Sequence, residues 1–336
     1  MARMSDVARL AGVSVKTVSN VVNDFPHVRP STRARVEQAI EALGYEVNET
    51  ARSLRSGRTG LIGLVVPELA QPYFGELADD VVAAARERGL HVLIEPTGFT
   101  RGAELAALDG PRRRVVDGLL FSPVAMEPAD VGLVEVDYPL VLLGEQLFSS
   151  AVDHVTMRNL EGARAATELL LGSGCRRIAV LGAPHEGARG TSTLRFEGYR
   201  LALEAAGIAV DPRLVAWTDH GWHRSNGAAA IAGVLGSGVA PDGVVAFNDA
   251  LAIGAMHELQ IRGLRIPDDV AVVGFDDTED ARYTLPTLTS VDAGRAEIAR
   301  VAVDLLATRI AGGGPAEPVL HRAAMRIVER DSTPAR

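Results

Sequence analysis

The residues best suited to chemistry near the start of the chain lie in SDVARLAGVSVKTVSNVVN, from Ser5 to Asn23. Val15, Lys16, Thr17, Ser19, Asn20 and Asn23 remain outward on a short helical repeat, a face of hydroxyl, amide and ammonium groups. Val18, Val21 and Val22 form its apolar side at helical spacing. Upstream, Val7, Leu10 and Ala11 show the same spacing. Gly12 can enter the left-handed turn that ends a helix, and Ser14 can cap the next one. Two short helices, a tight turn and an outer face with Lys and Asn describe a helix-turn-helix whose second helix can enter a DNA major groove. An ordinary helical hairpin carries the same pattern, and this stretch alone does not separate the two.

Elsewhere the reactive groups are scattered. Asp276-Asp277 is a carboxylate pair without an accompanying nucleophile, and the eight histidines show no H-E-x-x-H spacing. Gly182–Gly187 loosely matches a phosphate loop but continues Ala188-Arg189 where Lys-Ser/Thr is needed. An α/β enzyme is disfavoured on these grounds, and no metal or cofactor is expected.

The elements that must position these groups follow from the pattern of apolar runs. Asp24 to Pro30 reads as a loop. Ser31 then caps a third helix with Val36, Ala39, Ile40 and Leu43 on one stripe and Gly44 at its end. Asn48 can cap a short helix from Glu49 to Ser56, with Arg52 and Arg55 available to phosphates. About two turns of helix are marginal alone in water. From Thr59 onward short apolar runs read as buried strands: Gly60–Val66, His91–Glu95, Asp117–Phe121, Pro139–Gly144, Arg176–Gly182, Val244–Asn248 and Val270–Phe275. Amphipathic helices such as Tyr73–Arg88 separate them, so parallel sheets covered on both faces are expected. Leu61–Gly89 and Ile178–Gly207 repeat one strand–loop–helix plan. The repeat fits two similar lobes facing across a cleft, or one large sheet.

Composition sets the outer bounds. The 336 residues are 47% hydrophobic and 23% charged, enough for a large core and more than one domain. The net charge of −9 is uneven: residues 1–58 hold nine Lys and Arg against six Asp and Glu, leaving −12 on the rest. A mildly basic head on an acidic body can approach phosphates while staying soluble. The single cysteine, Cys175, excludes an internal disulfide and fits a reducing cytoplasm. MARMSDVARL has no apolar export core and no run is long enough to span a bilayer, so a cytoplasmic protein without membrane contact is expected.

Taken together, DVARLAGVSVKTVSNVVN, HVRPSTRARVEQAIEALGY, NETARSLRSGRTGLIG, FNDALAIGAM, IPDDVAVVGFDDTEDARY and LPTLTSV make the chain resemble the LacI/GalR family of bacterial transcriptional repressors over nearly its whole length. The resemblance implies an N-terminal all-α helix-turn-helix head (1–47) plus a hinge helix (48–58). An α/β two-lobed periplasmic-binding-protein-like core with parallel sheets (59–331) follows. Its lobes would hold about 60–160 with 292–320, and 161–291 with 321–331, with crossings near Asn159, Val291 and Leu320. The closing RIVERDSTPAR has no heptads, so a homodimer is expected rather than a tetramer.

The same resemblance assigns roles. Val15, Lys16 and Asn20 match base-reading positions, and Ser5, Ser14, Thr17, Ser19 and Thr32 match phosphate anchors on double-stranded operator DNA. Asn48 starts the hinge helix, Ala51 lets two such helices approach, and Leu54 matches a leucine wedged into the minor groove. Val47 departs from the proline common there. Arg195, Asn248 and Asp276 match effector-holding positions, Trp222, Tyr73 and Phe74 could pack on a sugar ring, and Phe121 and Phe247 could line the same space. Gly144-Glu145 and Arg158-Asn159 depart from the family's Asp-Arg and Asp-Asn. The expected small-molecule effector is a sugar; the alternative is a non-sugar ligand or a protein corepressor. An exported solute-binding protein is disfavoured by the head.

Overall fold

The computed structural model describes residues 2–22, 25–45, 58–110, 114–148, 151–218 and 221–334. Asn23 and the hinge residues Asn48, Ala51 and Leu54 lie outside these. The chain divides into two compact units, Met1–Thr59 and Gly60–Arg336.

In the first unit, α1 (Met4–Ala11), α2 (Val15–Val22) and α3 (Pro30–Leu43) pack around Val7, Ala8, Ala11, Val18, Val21, Val36 and Ala39. Gly12 ends α1 at φ 63°, its N–H donating to the Ala8 and Arg9 carbonyls. Ser14 caps α2, accepting from the Thr17 N–H at 3.1 Å. Two expectations are corrected. Leu10 is 57% exposed and Ala8 takes its place in the core. Ser31 lies inside α3, which starts at Pro30 after Arg29, because proline fits the first helical position, where no N–H is needed.

The second unit contains two six-stranded sheets with the same order. In the first, β2 (His91–Pro96), β1 (Leu61–Val66), β3 (Gly118–Phe121), β4 (Leu140–Leu143), β5 (Asp153–Thr156) and β11 (Leu320–Arg322) run parallel. In the second the order is β7 (Val215–Trp217), β6 (Ile178–Ala183), β8 (Gly243–Ala246), β9 (Ala271–Phe275), β10 (Thr289–Asp292) and β12 (Arg326–Val328). Here β12 pairs antiparallel with β10, so this sheet is not wholly parallel. The two-lobed arrangement prevails over a single large sheet.

Helices cover the sheets because the strands are apolar on both faces. On the first sheet, α4 (Pro72–Glu87) and α10 (Arg295–Ile310) bury Leu77, Val81, Ile298 and Leu306 against one face, while α5 (Arg101–Asp109) covers the other. On the second, α6 (Asn159–Gly172) and α7 (Thr191–Ala205) lie opposite α8 (Arg224–Gly236) and α9 (Asp249–Ile261). Gly254 and Gly227 let α8 and α9 touch: a Cβ at Gly227 would stand 2.1 Å from the Leu251 carbonyl oxygen.

The chain passes between the sheets after β5, after β10 and after β11. The third crossing follows Arg322 rather than Leu320, because Leu320–Arg322 still pairs with His154–Thr156. Three short crossings put the C-terminal strand edges of both sheets around one cleft, the position where open α/β sheets bind ligands.

Candidate functional site

On the head, Ser5, Ser14, Val15 and Lys16 are exposed, while Thr17, Ser19, Asn20 and Thr32 are half-buried. Val15 presents an apolar side chain to solvent at the start of α2. Ser14 Oγ and Thr17 Oγ1 share a hydrogen bond of 2.9 Å, and Ser14 also caps the helix. Both hydroxyls are thereby fixed beside the free N–H groups of a helix start, where an anion such as phosphate is favoured.

Within the second unit the cleft holds a cavity of about 600 Å³ lined from both lobes. Tyr73 and Phe74 enter it from the first turn of α4, with their rings edge to face at 5.2 Å. Glu145 follows β4. Arg195 stands on α7, Trp222 precedes α8, Asn248 follows β8 and Asp276 follows β9.

Arg195 is only 2% exposed, and its donors are used inside the protein. Nε donates to Asn159 Oδ1 at 2.7 Å, Nη1 donates to the Phe247 carbonyl, and Nη2 lies 3.5 Å from Asp276 Oδ1. Its guanidinium stacks 3.5 Å over the Phe275 ring and 5.6 Å from Trp222, a favourable arrangement for a desolvated cation. Asp276 takes a positive φ of 110° where it leaves β9. Burial pushes its carboxyl up to about 7, opposed by Arg195. Burial and the charges of Asp276 and Glu145 hold the Tyr73 hydroxyl protonated, as a donor.

Asn248 has both ends committed. Oδ1 caps α9 by accepting from the Leu251 N–H at 2.8 Å, and Nδ2 donates to the Trp222 carbonyl at 2.9 Å. It therefore fixes the Trp222 loop as well as lining the cavity. Phe121 is a correction: it is fully buried among Met126, Leu140 and Leu142 and does not line the cavity. Strand residues of a sheet covered on both faces point into the helix layers. After β3 it is the next two residues, Ser122 and Pro123, that reach the cleft.

Two carboxylates that the sequence reading did not place carry much of the polar chemistry. Glu145 is buried and accepts from Thr156 Oγ1, the Met157 N–H (3.0 Å) and, across the cleft, Thr191 Oγ1 (2.8 Å). The shift of the family's acid to Gly144-Glu145 was its only signal. Asp249 lies behind Asp276 and accepts from the Thr278 N–H, Thr278 Oγ1 and Ser290 Oγ at 2.7, 3.1 and 2.6 Å. Burial and the Asp276 charge push it up to about 8. Further bonds tie the lobes together: His223 stands 3.0 Å from Glu68, and the Glu279 N–H donates to Glu76 at 2.9 Å. Among the described residues no group of three His, Cys, Asp or Glu could hold a metal, and no helix is long and apolar enough to cross a membrane.

Residues 3–48 match the bacterial regulatory proteins of the lacI family, and residues 167–333 match the periplasmic binding protein-like domain. The HTH-type transcriptional regulator CelR of Thermobifida fusca is 36% identical over 335 residues, covering 97% of this chain and 96% of its own. A CelR–cellobiose complex superposes with a TM-score of 0.72 at 32% identity, over 99% of this chain and 100% of that one. The lac repressor dimer bound to operator and the anti-inducer ONPF superposes at 0.85 with 27% identity, over 99% of both chains. Identity over 97% of the chain, with family matches in both head and body, makes this chain a member of the LacI family: a transcriptional regulator with a helix-turn-helix head and a periplasmic-binding-protein-like body.

Proposed function

We propose that the chain is a homodimeric repressor, working in the cytoplasm, that grips a two-fold symmetric operator and changes its grip when a sugar enters the cleft. Val15, Lys16 and Asn20 read base edges: lysine donates to guanine, asparagine pairs with adenine, and a valine methyl meets a thymine methyl. Ser5, Ser14, Thr17, Ser19 and Thr32 anchor phosphates. Asn48, Ala51 and Leu54 form the hinge, whose leucine wedges the minor groove open at the operator centre.

In the cleft, Asp276, held by Arg195, meets ligand hydroxyls, Tyr73, Phe74 and Trp222 pack on the ring's apolar face, and Asn248 holds Trp222 in place. The similarity to a regulator solved as a cellobiose complex favours a sugar over other effectors. The observation that carries the reading is the chain of polar contacts Asp276–Arg195–Asn159. It runs from the cleft wall to the first crossing between lobes, so a ligand that engages Asp276 acts on the segment about which the lobes move. By linkage, the ligand shifts DNA affinity only as far as its own affinities for the two states differ.

Selection of bound sequences from random duplex DNA tests the reading. An inverted repeat with a CG step at its centre is expected, and Leu54→Ala should bind it far more weakly than the parent while keeping ligand affinity. Enrichment of an asymmetric single site, or equal binding by Leu54→Ala, contradicts it.

A further inference from the structure

The cleft is larger than one sugar ring requires. Its volume is about 600 Å³, whereas a hexose at the packing density of an organic crystal fills roughly 200 Å³. The strand order of the two sheets also sets the order of loops along the cleft. Loops after β4, β5 and β9 stand toward the crossings between lobes, and loops after β2 and β7 stand at the opposite end.

The chemistry is divided the same way. Toward the crossings the wall carries Glu145, Arg195 and Asp276. The other end carries Phe99, after β2, and Thr218, after β7. Phe99 keeps a φ of 58°, a backbone region that bulky side chains rarely enter, and such strain persists where the surrounding structure fixes a side chain for use. From the other lobe, Thr218 Oγ1 is buried without a hydrogen-bond partner, which is costly unless a ligand or water supplies one. Beside it Trp217 tilts against His185, itself part of the cavity wall, with ring centroids 6.3 Å apart.

We propose that the effector is a saccharide of at least two rings, the first against Asp276, Arg195 and Trp222 and the second between Phe99 and Thr218. The second ring lays its C–H face on Phe99 and bonds one hydroxyl to Thr218 Oγ1. Phe99 offers an aromatic face and Thr218 a hydroxyl, a pair suited to a ring that needs orienting more than strong polar capture. The proposal rests on the sugar reading of the same cleft.

Calorimetric titration of the full-length protein with glucose, galactose, cellobiose, maltose and lactose provides the test. At least one two-ring sugar should bind about ten-fold or more tightly than either single-ring sugar, since it gains a stacked ring and a satisfied hydroxyl. Phe99→Ala should lose about ten-fold for that sugar and Thr218→Val about five-fold, with folding unchanged by circular dichroism. A single-ring sugar that binds as tightly as every two-ring sugar overturns the second subsite and leaves the sugar reading standing. So does a two-ring affinity that neither substitution alters. Absence of binding by all five sugars overturns the sugar reading and the second subsite together.

Discussion

The outer face of the head and the wall of the cleft use polar side chains in opposite ways. On the head, Lys16 stands in solvent and Asn20 is half-buried, both on a helix whose core lies on its other side. In the cleft, Arg195, Asn248 and Glu145 are buried and already bonded to the protein. A recognition face of the first kind can be altered residue by residue without touching the fold. A recognition wall of the second kind is part of the fold, and changing it alters structure and binding together. The difference follows from the cost of leaving a buried polar group unpaired, which an exposed group avoids by turning to water.

The largest effect should therefore come from the cleft. Arg195→Ala leaves Asp276 buried without its paired guanidinium and removes a donor from Asn159 and from the Phe247 carbonyl. Breaking such a pair costs about 3–5 kcal/mol, which denaturant unfolding of the body should register. A loss near zero would mean that its contacts with Asp276, Asn159 and the Phe247 carbonyl add no net stability. Asn20→Ala should behave in the opposite way, costing about 1–3 kcal/mol at one base pair and relaxing preference there. Its stability should stay within about 0.5 kcal/mol of the parent. Titrations over single-base operator variants check this, and equal weakening at every variant would turn Asn20 into a phosphate contact.

Acid sharpens the contrast further. Asp249 is held at about 8 in the folded body, above its ordinary value of about 3.9, so folding takes up a proton between those limits. Stability from this group is greatest below about pH 4 and declines as pH rises toward 8, by at most about 1.4 kcal/mol per unit. Melting curves from pH 5 to 8 should slope downward in the parent and less steeply in Asp249→Asn, where Asp276, also raised by burial, keeps part of the slope. A slope unchanged by the substitution would place the proton elsewhere.

The same contrast explains what could be read from the sequence. The head's motif is contiguous, so helical spacing, Gly12 and Ser14 locate its outer face without any distant contact. The exception, Leu10, shows the limit of periodicity in an eight-residue helix. At 3.6 residues per turn Met4, Val7, Ala8 and Ala11 make a second stripe, and the close crossing of small helices selects alanine over leucine. In the body the continuously apolar strands were legible, even four-residue ones such as β3, β4 and β8. By contrast β5, β10, β11 and β12 mix polar or charged residues into theirs, and β7 is only three residues long. Segments so mixed or so short show no period, and pairing with neighbours defines them.

The cleft is harder still, because its members meet only through the crossings: Arg195 finds Asn159 from 36 residues away and Asp276 from 81. Family resemblance located Arg195, Asn248 and Asp276 in sequence. Only the packed structure assigns Phe121 to the core and Glu145 to a bond between lobes.

The central claim is that the cleft governs the grip on operator through Asp276, and one comparison tests it most directly. Operator binding is measured with and without the sugar that stabilises the parent protein, for the parent and for Asp276→Ala side by side. Losing a charged acceptor in a dry site costs about 1.5–3 kcal/mol, roughly ten- to a hundred-fold in sugar affinity. The variant should bind operator as the parent does and fail to respond at sugar concentrations that switch the parent. An unchanged response would move the effector away from Asp276, and loss of operator binding without sugar would make Asp276 a structural residue.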